Sequence, residues 1–127
     1  MTRRSERVAE ALRRLASEIV HSELKDPRLK GVITVTRVTV TADLRSAKLY
    51  YSVLGDDKKK KLVARGLKSA KNFVRKRLAD ELKLRYATDI SFIFDERFAY
   101  TERMNEIFNK LHREENNERF KSDNGKD

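Results

Sequence analysis

The amino-acid sequence predicts an α+β domain in which helices cover one face of a three-stranded sheet. Three stretches alternate between apolar and polar residues, as half-buried strands do, and three others carry apolar residues at helical spacing. The chain has 127 residues, of which 39% are hydrophobic and 39% charged, enough to bury one modest core under a densely charged surface. We therefore expect a compact domain at 1–96, an amphipathic helix at 97–114 and a disordered tail at 115–127.

The first helix is predicted from Ser5 to about Leu24. Its apolar stripe recurs at steps of mostly three and four residues, which is the spacing of one helix face. Ser5 is a suitable N-cap because its hydroxyl can accept a backbone N–H of the first turn, and Pro27 disfavours helix at Asp26. The stripe consists of Val8, Leu12, Leu15, Ile19 and Val20.

The first strand is predicted at 31–41, a stretch rich in β-branched residues. The first two of its core-facing apolar residues are at odd-numbered positions and the last two are at even-numbered positions. A regular strand would therefore turn the two pairs to opposite faces of the sheet. One extra residue near Thr36 and Arg37, a β-bulge, would place all four on one face. These inward residues are Ile33, Val35, Val38 and Val40.

A second strand is predicted at 46–55 and a third at 88–95, since both alternate between apolar and polar residues. The link at 41–45 is short, so the first two strands should form an antiparallel hairpin. Tyr50 lies on the open face of the sheet, where it either stacks on a base or covers the sheet, and we favour the second. The inward residues of these two strands are Ala47, Leu49, Tyr51, Val53, Ile90, Phe92 and Phe94.

The segment 56–84 carries one apolar seam at helical spacing, with Asp56 and Asp57 as suitable caps at its start. The segment is long for one helix of so small a domain, and Gly66 is its only strong helix breaker. The spacing leaves open whether the segment forms one helix or two. The seam consists of Val63, Leu67, Ala70, Val74, Leu78 and Leu82.

The net charge of +10 is placed unevenly, because lysine and arginine crowd the polar side of the segment 58–77. At about 100° per residue, five of these cations fall within about a third of the circumference of a straight helix, opposite the seam. A face that served only solubility would mix both signs, so the pattern favours phosphate binding. The five cations are Lys61, Arg65, Lys68, Arg75 and Lys76.

Three long segments resemble the bacterial ribosome-binding factor A family: "SERVAEALRRLASEIV", "KDPRLKGVITVTRVTVTADLRSAKLYYSVLG" and "LKSAKNFVRKRLADELKLRYATDISFIFDER". The resemblance covers about 3–113 and includes the Asp-Pro-Arg at 26–28 and the Asp-Leu-Arg at 43–45. It implies a type II KH-like RNA-binding domain at 1–96. It also implies binding to the small (30S) ribosomal subunit and its 16S rRNA, and help with rRNA maturation and late subunit assembly, notably in the cold. The absence of cysteine suits a reducing cytoplasm, so we expect a cytoplasmic location and a monomer when free.

The resemblance also implies a break in the central segment. The family has an interhelical kink at Ala-x-Gly, and the matching residues here are Ala70, Lys71 and Asn72. Asparagine replaces the glycine and tolerates left-handed backbone, so we expect a kink with a second helix starting near Ala70. The free N–H groups of that second helix would then add to the nearby cations.

The residues expected to contact RNA come from three parts of the chain. Ser69 either donates a hydrogen bond to a phosphate or caps the second helix. Arg3, Arg4 and Arg7 come from the N-terminal segment, Lys25, Arg28 and Lys30 from the turn around Pro27, and Lys61, Arg65, Lys68, Ser69, Lys71, Asn72, Arg75 and Lys76 from the central segment.

Other functions find little support in the residues. The chain contains no cysteine, which excludes disulfides and thiolate metal sites. His21 and His112 are far apart in sequence and no nucleophile motif occurs, so we expect no catalysis, no metal and no cofactor. No stretch is long and apolar enough for a membrane span. The rival function is a protein-interaction adaptor that docks on a ribosomal protein or an assembly GTPase through the hairpin or the helix at 98–111, with its charge only steering the encounter.

Overall fold

The computed structural model describes residues 2–29, 33–85 and 88–124, with side chains described as far as residue 118. The elements follow one another as α1 (Arg3–Glu18), a π-helical turn (Ile19–Glu23), a 3₁₀ turn (Pro27–Leu29), β1 (Ile33–Val40), β2 (Ser46–Val53), α2 (Asp57–Leu82), β3 (Asp89–Phe94) and α3 (Glu96–Asn124). The chain divides into two compact units, 1–95 and 96–127.

Helix α1 is capped by Thr2, so the prediction of Ser5 as the cap is wrong. The Thr2 hydroxyl accepts the Ser5 backbone N–H at 3.1 Å, and the Ser5 hydroxyl donates to the Thr2 carbonyl at 2.9 Å. Ser5 is buried inside the first turn. The α-helix then ends at Glu18, earlier than the predicted Leu24, because the following residues form the π-helical turn to Glu23.

The sheet has the order β1-β2-β3, with β1 antiparallel to β2 and β2 parallel to β3. The β-bulge is where the sequence predicts it: Val35 pairs with Tyr51 and Arg37 pairs with Tyr50, which leaves Thr36 as the extra residue. The four β1 residues that the bulge was expected to bring to one face, Ile33, Val35, Val38 and Val40, are all buried. Residues 31 and 32 of the predicted strand lie outside the described residues.

Helix α2 is one α-helix from Asp57 to Leu82, and this corrects the expectation of a second helix starting near Ala70. Asn72 is exposed within the helix and no glycine occupies that place, so the backbone has no reason to leave the helical conformation there. The helix ends instead at Lys83, which takes the left-handed conformation with φ 48° and whose N–H donates to the Ala79 carbonyl. The one apolar seam, running without interruption, favours the single helix.

The core lies between the sheet and two helices. Leu12 and Ala16 of α1 are buried, as are Leu67 and Val74 of α2, and they belong to one apolar cluster with Leu49 of β2. This arrangement leaves the opposite sides of both helices free to carry charge. The two helices that cover the sheet therefore carry polar and charged residues on their solvent sides, and these residues are candidates for a functional site.

Helix α3 forms the second unit and is longer than predicted. The expected helix at 97–114 lies within it, but the helix continues to Asn124, where a disordered tail was expected from 115. The stretch contains no proline and no glycine before Gly125, and its Glu, Arg and Lys residues favour helix. The last three residues of the expected tail lie outside the described residues. None of the described helices is long and apolar enough to cross a membrane.

Candidate nucleic-acid interface

A row of cations runs along the solvent side of α2, and we call it the basic stripe. By helix geometry its members lie opposite the buried seam of Val63, Leu67 and Val74. Four of them are exposed and Arg75 is half-buried. Within the part of the chain that the structure describes, none of the five forms an ion pair, so their charge is uncompensated. The basic stripe consists of Lys61, Arg65, Lys68, Arg75 and Lys76.

Three other cations of α2, Lys60, Lys71 and Arg77, have acidic partners. Arg77 Nε lies 2.8 Å from Glu23 Oε1, and Arg77 Nη1 lies 3.0 Å from Glu81 Oε1; the hydrogen bond to Glu23 is the largest cause of the raised pKa of Arg77. Lys71, which the sequence assigned to RNA binding, has its Nζ 3.7 Å from Asp89 Oδ1. Acids therefore pair with the cations on the flanks of α2 and leave the basic stripe between them.

The turn around Pro27 contacts the middle of α2. The Arg28 guanidinium Nη2 lies 2.5 Å from Asp26 Oδ2 and 3.5 Å from the Ser69 hydroxyl. That guanidinium, hydrogen-bonded to Asp26, is the main reason why the pKa of the Asp26 carboxyl lies below its ordinary value. Arg28 and Ser69 thus bring together two of the three parts of the chain that were expected to contact RNA, the turn around Pro27 and the central segment. Lys25 is exposed, and Lys30 lies outside the described residues.

The N-terminal arginines form a separate group. Arg3, Arg4 and Arg7 are exposed in the first two turns of α1. No ion pair holds any of the three in the described residues. The structure therefore supplies two cationic regions on different helices.

The continuous helix changes what Ser69 and Asn72 can do. Both lie inside α2, so their backbone N–H groups are used by the helix and cannot receive a phosphate as a helix N-terminus would. The alternative that Ser69 caps a second helix is also excluded, because its hydroxyl instead meets Arg28. Contacts from this region must come from side chains.

Phe73 is a candidate that the sequence reasoning missed. It is 47% exposed, an unusual state for a phenylalanine in the body of a helix. Ser69 and Lys76 lie one helical turn away on either side, so the ring borders the basic stripe. In the sequence, the position of Phe73 outside the apolar seam was the signal that could have identified it as an exposed ring. An exposed ring beside cations suits stacking on an unpaired base.

On the open face of the sheet, Tyr50 is covered from within the chain. The Arg37 guanidinium carbon lies 3.8 Å from the centre of the Tyr50 ring, and Arg37 Nε lies 3.3 Å from the buried carboxylate of Asp95. The same carboxylate accepts the Thr36 hydroxyl at 2.6 Å. These contacts favour the interpretation in which Tyr50 covers the sheet.

In the described residues, no three histidine, aspartate or glutamate side chains cluster as metal ligands would. The polar groups that the structure does gather are cations on helix surfaces, and their chemistry is the binding of anions.

Comparison with known proteins finds a matching family model and several relatives. The family model described as ribosome-binding factor A matches residues 4–108. Ribosome-binding factor A of Geobacter sulfurreducens is 40% identical over 114 residues, which is 90% of this chain and 96% of that protein.

Solved structures show the same fold. The solution NMR structure of a Thermotoga maritima protein, a putative ribosome-binding factor A, has 34% identity and a TM-score of 0.64 over 71% of this chain and 85% of that one. Thermus thermophilus coordinates, a homology model fitted into the cryo-EM map of a 30S complex with ribosome-binding factor A, have a TM-score of 0.55 at 23% identity, over 66% of this chain and 87% of theirs. The predicted α+β, KH-like fold is therefore confirmed.

Proposed function

Since the chain belongs to the ribosome-binding factor A family, we propose that it binds the small (30S) ribosomal subunit by holding phosphates of 16S rRNA on the basic stripe of α2. The unpaired state of the five cations is the observation that carries this proposal. A protein that used these side chains for its own stability would pair them with acids, as it does with Arg77 and Lys71.

The physical basis of the binding is electrostatic. RNA carries a dense row of phosphates with condensed counterions, and cations that neutralise phosphates release those counterions. Five uncompensated cations along one helix match a row of charges better than a compact pocket would. The net charge of +10 adds long-range attraction that speeds the encounter.

Contact with the RNA backbone then relies on side chains. Because α2 is continuous past Ala70 and Asn72, its N–H groups do not form the backbone clamp of a Gly-x-x-Gly loop. Lysine and arginine side chains are long and adaptable, so the stripe follows the shape of the strand it holds. Arg28, whose guanidinium is paired with Asp26, places the turn around Pro27 beside this surface at Ser69.

The role in assembly that we propose is not enzymatic. The protein holds rRNA in an arrangement that allows late maturation of the small subunit, notably in the cold, and leaves the finished subunit. This work takes place in the cytoplasm and needs no cofactor, because binding free energy alone favours one RNA arrangement over others. The protein acts as a monomer when free.

A second candidate function is that of a protein-interaction adaptor docking on a ribosomal protein or an assembly GTPase. The apolar side chains of α3 favour it, because several of them are exposed. They are Tyr100, Met104, Ile107, Phe108 and Leu111.

Binding to naked 16S rRNA, measured beside binding to intact small subunits, separates the two functions. An RNA-binding factor binds both, and basic-stripe variants weaken both. An adaptor binds subunits but leaves naked rRNA unbound at physiological salt, and that result would reject the RNA-binding proposal.

A further inference from the structure

A cleft with a volume near 470 Å³ opens where three element ends meet. Its walls come from the start of α1, the turn between β1 and β2, and the end of α2. The size falls within the roughly 300–1,000 Å³ range of small-molecule sites. The basic stripe lies elsewhere on α2, so the proposed function does not account for this cleft.

Two of the three walls are fixed by hydrogen bonds. In the hairpin turn, the Leu44 N–H donates to the Thr41 carbonyl at 2.9 Å, and the Leu44 carbonyl accepts the buried Thr88 hydroxyl at 2.7 Å. At the end of α2, the Leu84 N–H donates to the Ala79 carbonyl at 3.2 Å. The cleft is therefore formed before any ligand arrives, which reduces the ordering that binding requires.

The two non-glycine residues with positive φ in the described chain both line this cleft. Leu44 has φ 61° and Lys83 has φ 48°. Glycine would adopt this conformation without strain, yet the chain places a large apolar and a cationic side chain here. Strained residues of this kind gather at functional sites. The Leu44 side chain packs against the hydrophobic core, whereas no ion pair is formed by the Lys83 side chain in the described residues.

The lining combines cations with apolar surface. Arg4, Lys83 and Arg85 supply three positive charges, and Leu44 and Leu82 supply an apolar wall. The one acid of the lining, Asp43, accepts the Thr41 hydroxyl at 2.7 Å and the Arg45 N–H at 3.1 Å, so its carboxylate serves its own turn. A ligand suited to this cleft has a negative group next to an apolar part.

We infer that the cleft binds one nucleotide, with its phosphate at Arg4 and Lys83 and its base against Leu44 and Leu82. The nucleotide belongs to an unpaired stretch of the bound RNA, so the inference rests on the proposed RNA-binding function. It adds a second contact point to the basic stripe. A free mononucleotide has the same chemistry and serves as the probe.

The test uses the full ¹⁵N-labelled chain titrated with adenosine 5′-monophosphate, with inorganic phosphate and with adenosine. We expect the nucleotide to shift the amide signals of Val8, Leu44 and Leu84, and each half-ligand to bind at least about tenfold more weakly. No shift at these amides at millimolar nucleotide overturns the inference.

Lys83→Gly gives a sharp variant because it removes the cation and also the left-handed strain. The melting temperature of this variant should be the same as that of the wild type or a few degrees higher, because the strain is gone. Its affinity for the nucleotide should fall roughly tenfold. Lys83→Arg keeps the charge and should keep the affinity within about twofold. Lys83→Gly that binds the nucleotide as tightly as wild type overturns the inference.

A single-stranded oligonucleotide distinguishes the two sources of the ligand. If the nucleotide belongs to RNA, Lys83→Gly weakens oligonucleotide binding by the same factor as mononucleotide binding. If only mononucleotide binding falls, the assignment to RNA is wrong. If the wild-type protein binds rRNA but the amide signals at the cleft do not shift, this inference alone is overturned. If the wild-type protein binds no rRNA, the proposed function is overturned.

Discussion

Leu29 lies so close to Gly66 that a Cβ on the glycine would stand 2.7 Å from Leu29 Cδ2 and 3.0 Å from Leu29 Cγ. The sequence suggested that Gly66 is a weak point of the central helix. Its role in the structure is instead to let the turn around Pro27 approach α2, since both Leu29 and Gly66 are buried. That approach also brings Arg28 to Ser69.

Gly66→Ala should lower the free energy of unfolding by about 1 kcal/mol. Alanine gains about 1 kcal/mol of helix propensity, but overpacking against a buried leucine costs about 1–3 kcal/mol. Urea denaturation measures the difference. Leu29→Ala is the partner change: it should cost less in the Gly66→Ala background than in the wild type, by at least about 0.5 kcal/mol. A Gly66→Ala protein that is more stable than wild type would show that the two residues are not in tight contact.

Asp26→Asn should destabilise the protein at neutral pH and much less in acid. The hydrogen bond from the Arg28 guanidinium lowers the pKa of the Asp26 carboxyl below its ordinary value of 3.8. A lowered folded-state pKa means that the stabilisation is complete above pH 3.8 and is lost as the pH falls through the folded-state pKa. Asparagine can still accept the Arg28 backbone N–H through Oδ1, so the change removes the charge together with the Oδ2 acceptor of the guanidinium.

Thermal melts at pH 7 and at about pH 2.5 measure this difference. The matched control is Asp80→Asn on α2, which lies at an exposed position and forms no ion pair with the described residues. A gap between wild type and Asp26→Asn that is equally large at both pH values would contradict the assigned role of the carboxylate.

The strands, the hairpin and the β-bulge could be predicted because their signals are local, whereas the parallel pairing of β3 with β2 could not. Val35 and Val38 are separated by an odd number of positions, so both can face the core only if the strand contains one extra residue between them. The structure has Thr36 as that residue. A one-residue error would turn a buried valine to solvent, so the pattern fixes the register strongly. The same argument gave the inward side chains of β2.

The helix ends could not be predicted as well. Thr2 and Ser5 are both suitable caps, and only the burial of Ser5 decides between them. The expected break at Ala70 came from the resemblance to the family, whereas the local residues, with Asn72 in place of glycine, allow one helix. The helix propensity of a single residue contributes too little free energy to decide where a helix begins or breaks.

The cations of the candidate site could be recognised as a row, but their ion-pair partners could not be predicted. The spacing placed Lys68 in the row and Lys71 outside it, yet both were expected to contact RNA. The structure pairs Lys71 with Asp89, a residue far along the chain, and leaves Lys68 unpaired in the described region. Long-range ion pairs depend on the fold, so the sequence pattern alone does not reveal them.

Phe73→Leu should weaken binding to single-stranded rRNA roughly tenfold, because base–aromatic stacking is worth about 1–3 kcal/mol. Leucine keeps the apolar area and the helix propensity, so the melting temperature should stay within a few degrees. Phe73→Trp should bind at least as tightly as wild type. Fluorescence anisotropy with a single-stranded fragment and its duplex measures the effect.

The matched control for Phe73 is Leu54→Ala, at an apolar position that is 80% exposed in the same unit. It should leave RNA affinity unchanged. Duplex binding should also be insensitive to Phe73→Leu, since paired bases offer no free face. Equal loss of affinity for single strand and duplex would assign Phe73 to packing instead of stacking.

The affinity for single-stranded rRNA should fall steeply with salt. Neutralising about six phosphates predicts a slope of roughly −4 in a plot of log K against log salt concentration. Changing Arg65, Lys68 and Arg75 to glutamine should reduce the magnitude of this slope by about 2. A flat response in the wild type would contradict phosphate binding.

Co-sedimentation with small ribosomal subunits tests the central claim most directly. Arg65, Lys68 and Arg75, all changed to glutamate, should abolish co-sedimentation while the melting temperature stays within a few degrees, because none of the three forms an ion pair with the described residues. The same change of charge at Lys48, Arg103 and Lys110, which are exposed outside the basic stripe, should leave most of the binding intact. Subunit binding that survives the first variant unchanged, or falls equally in both, would contradict the account.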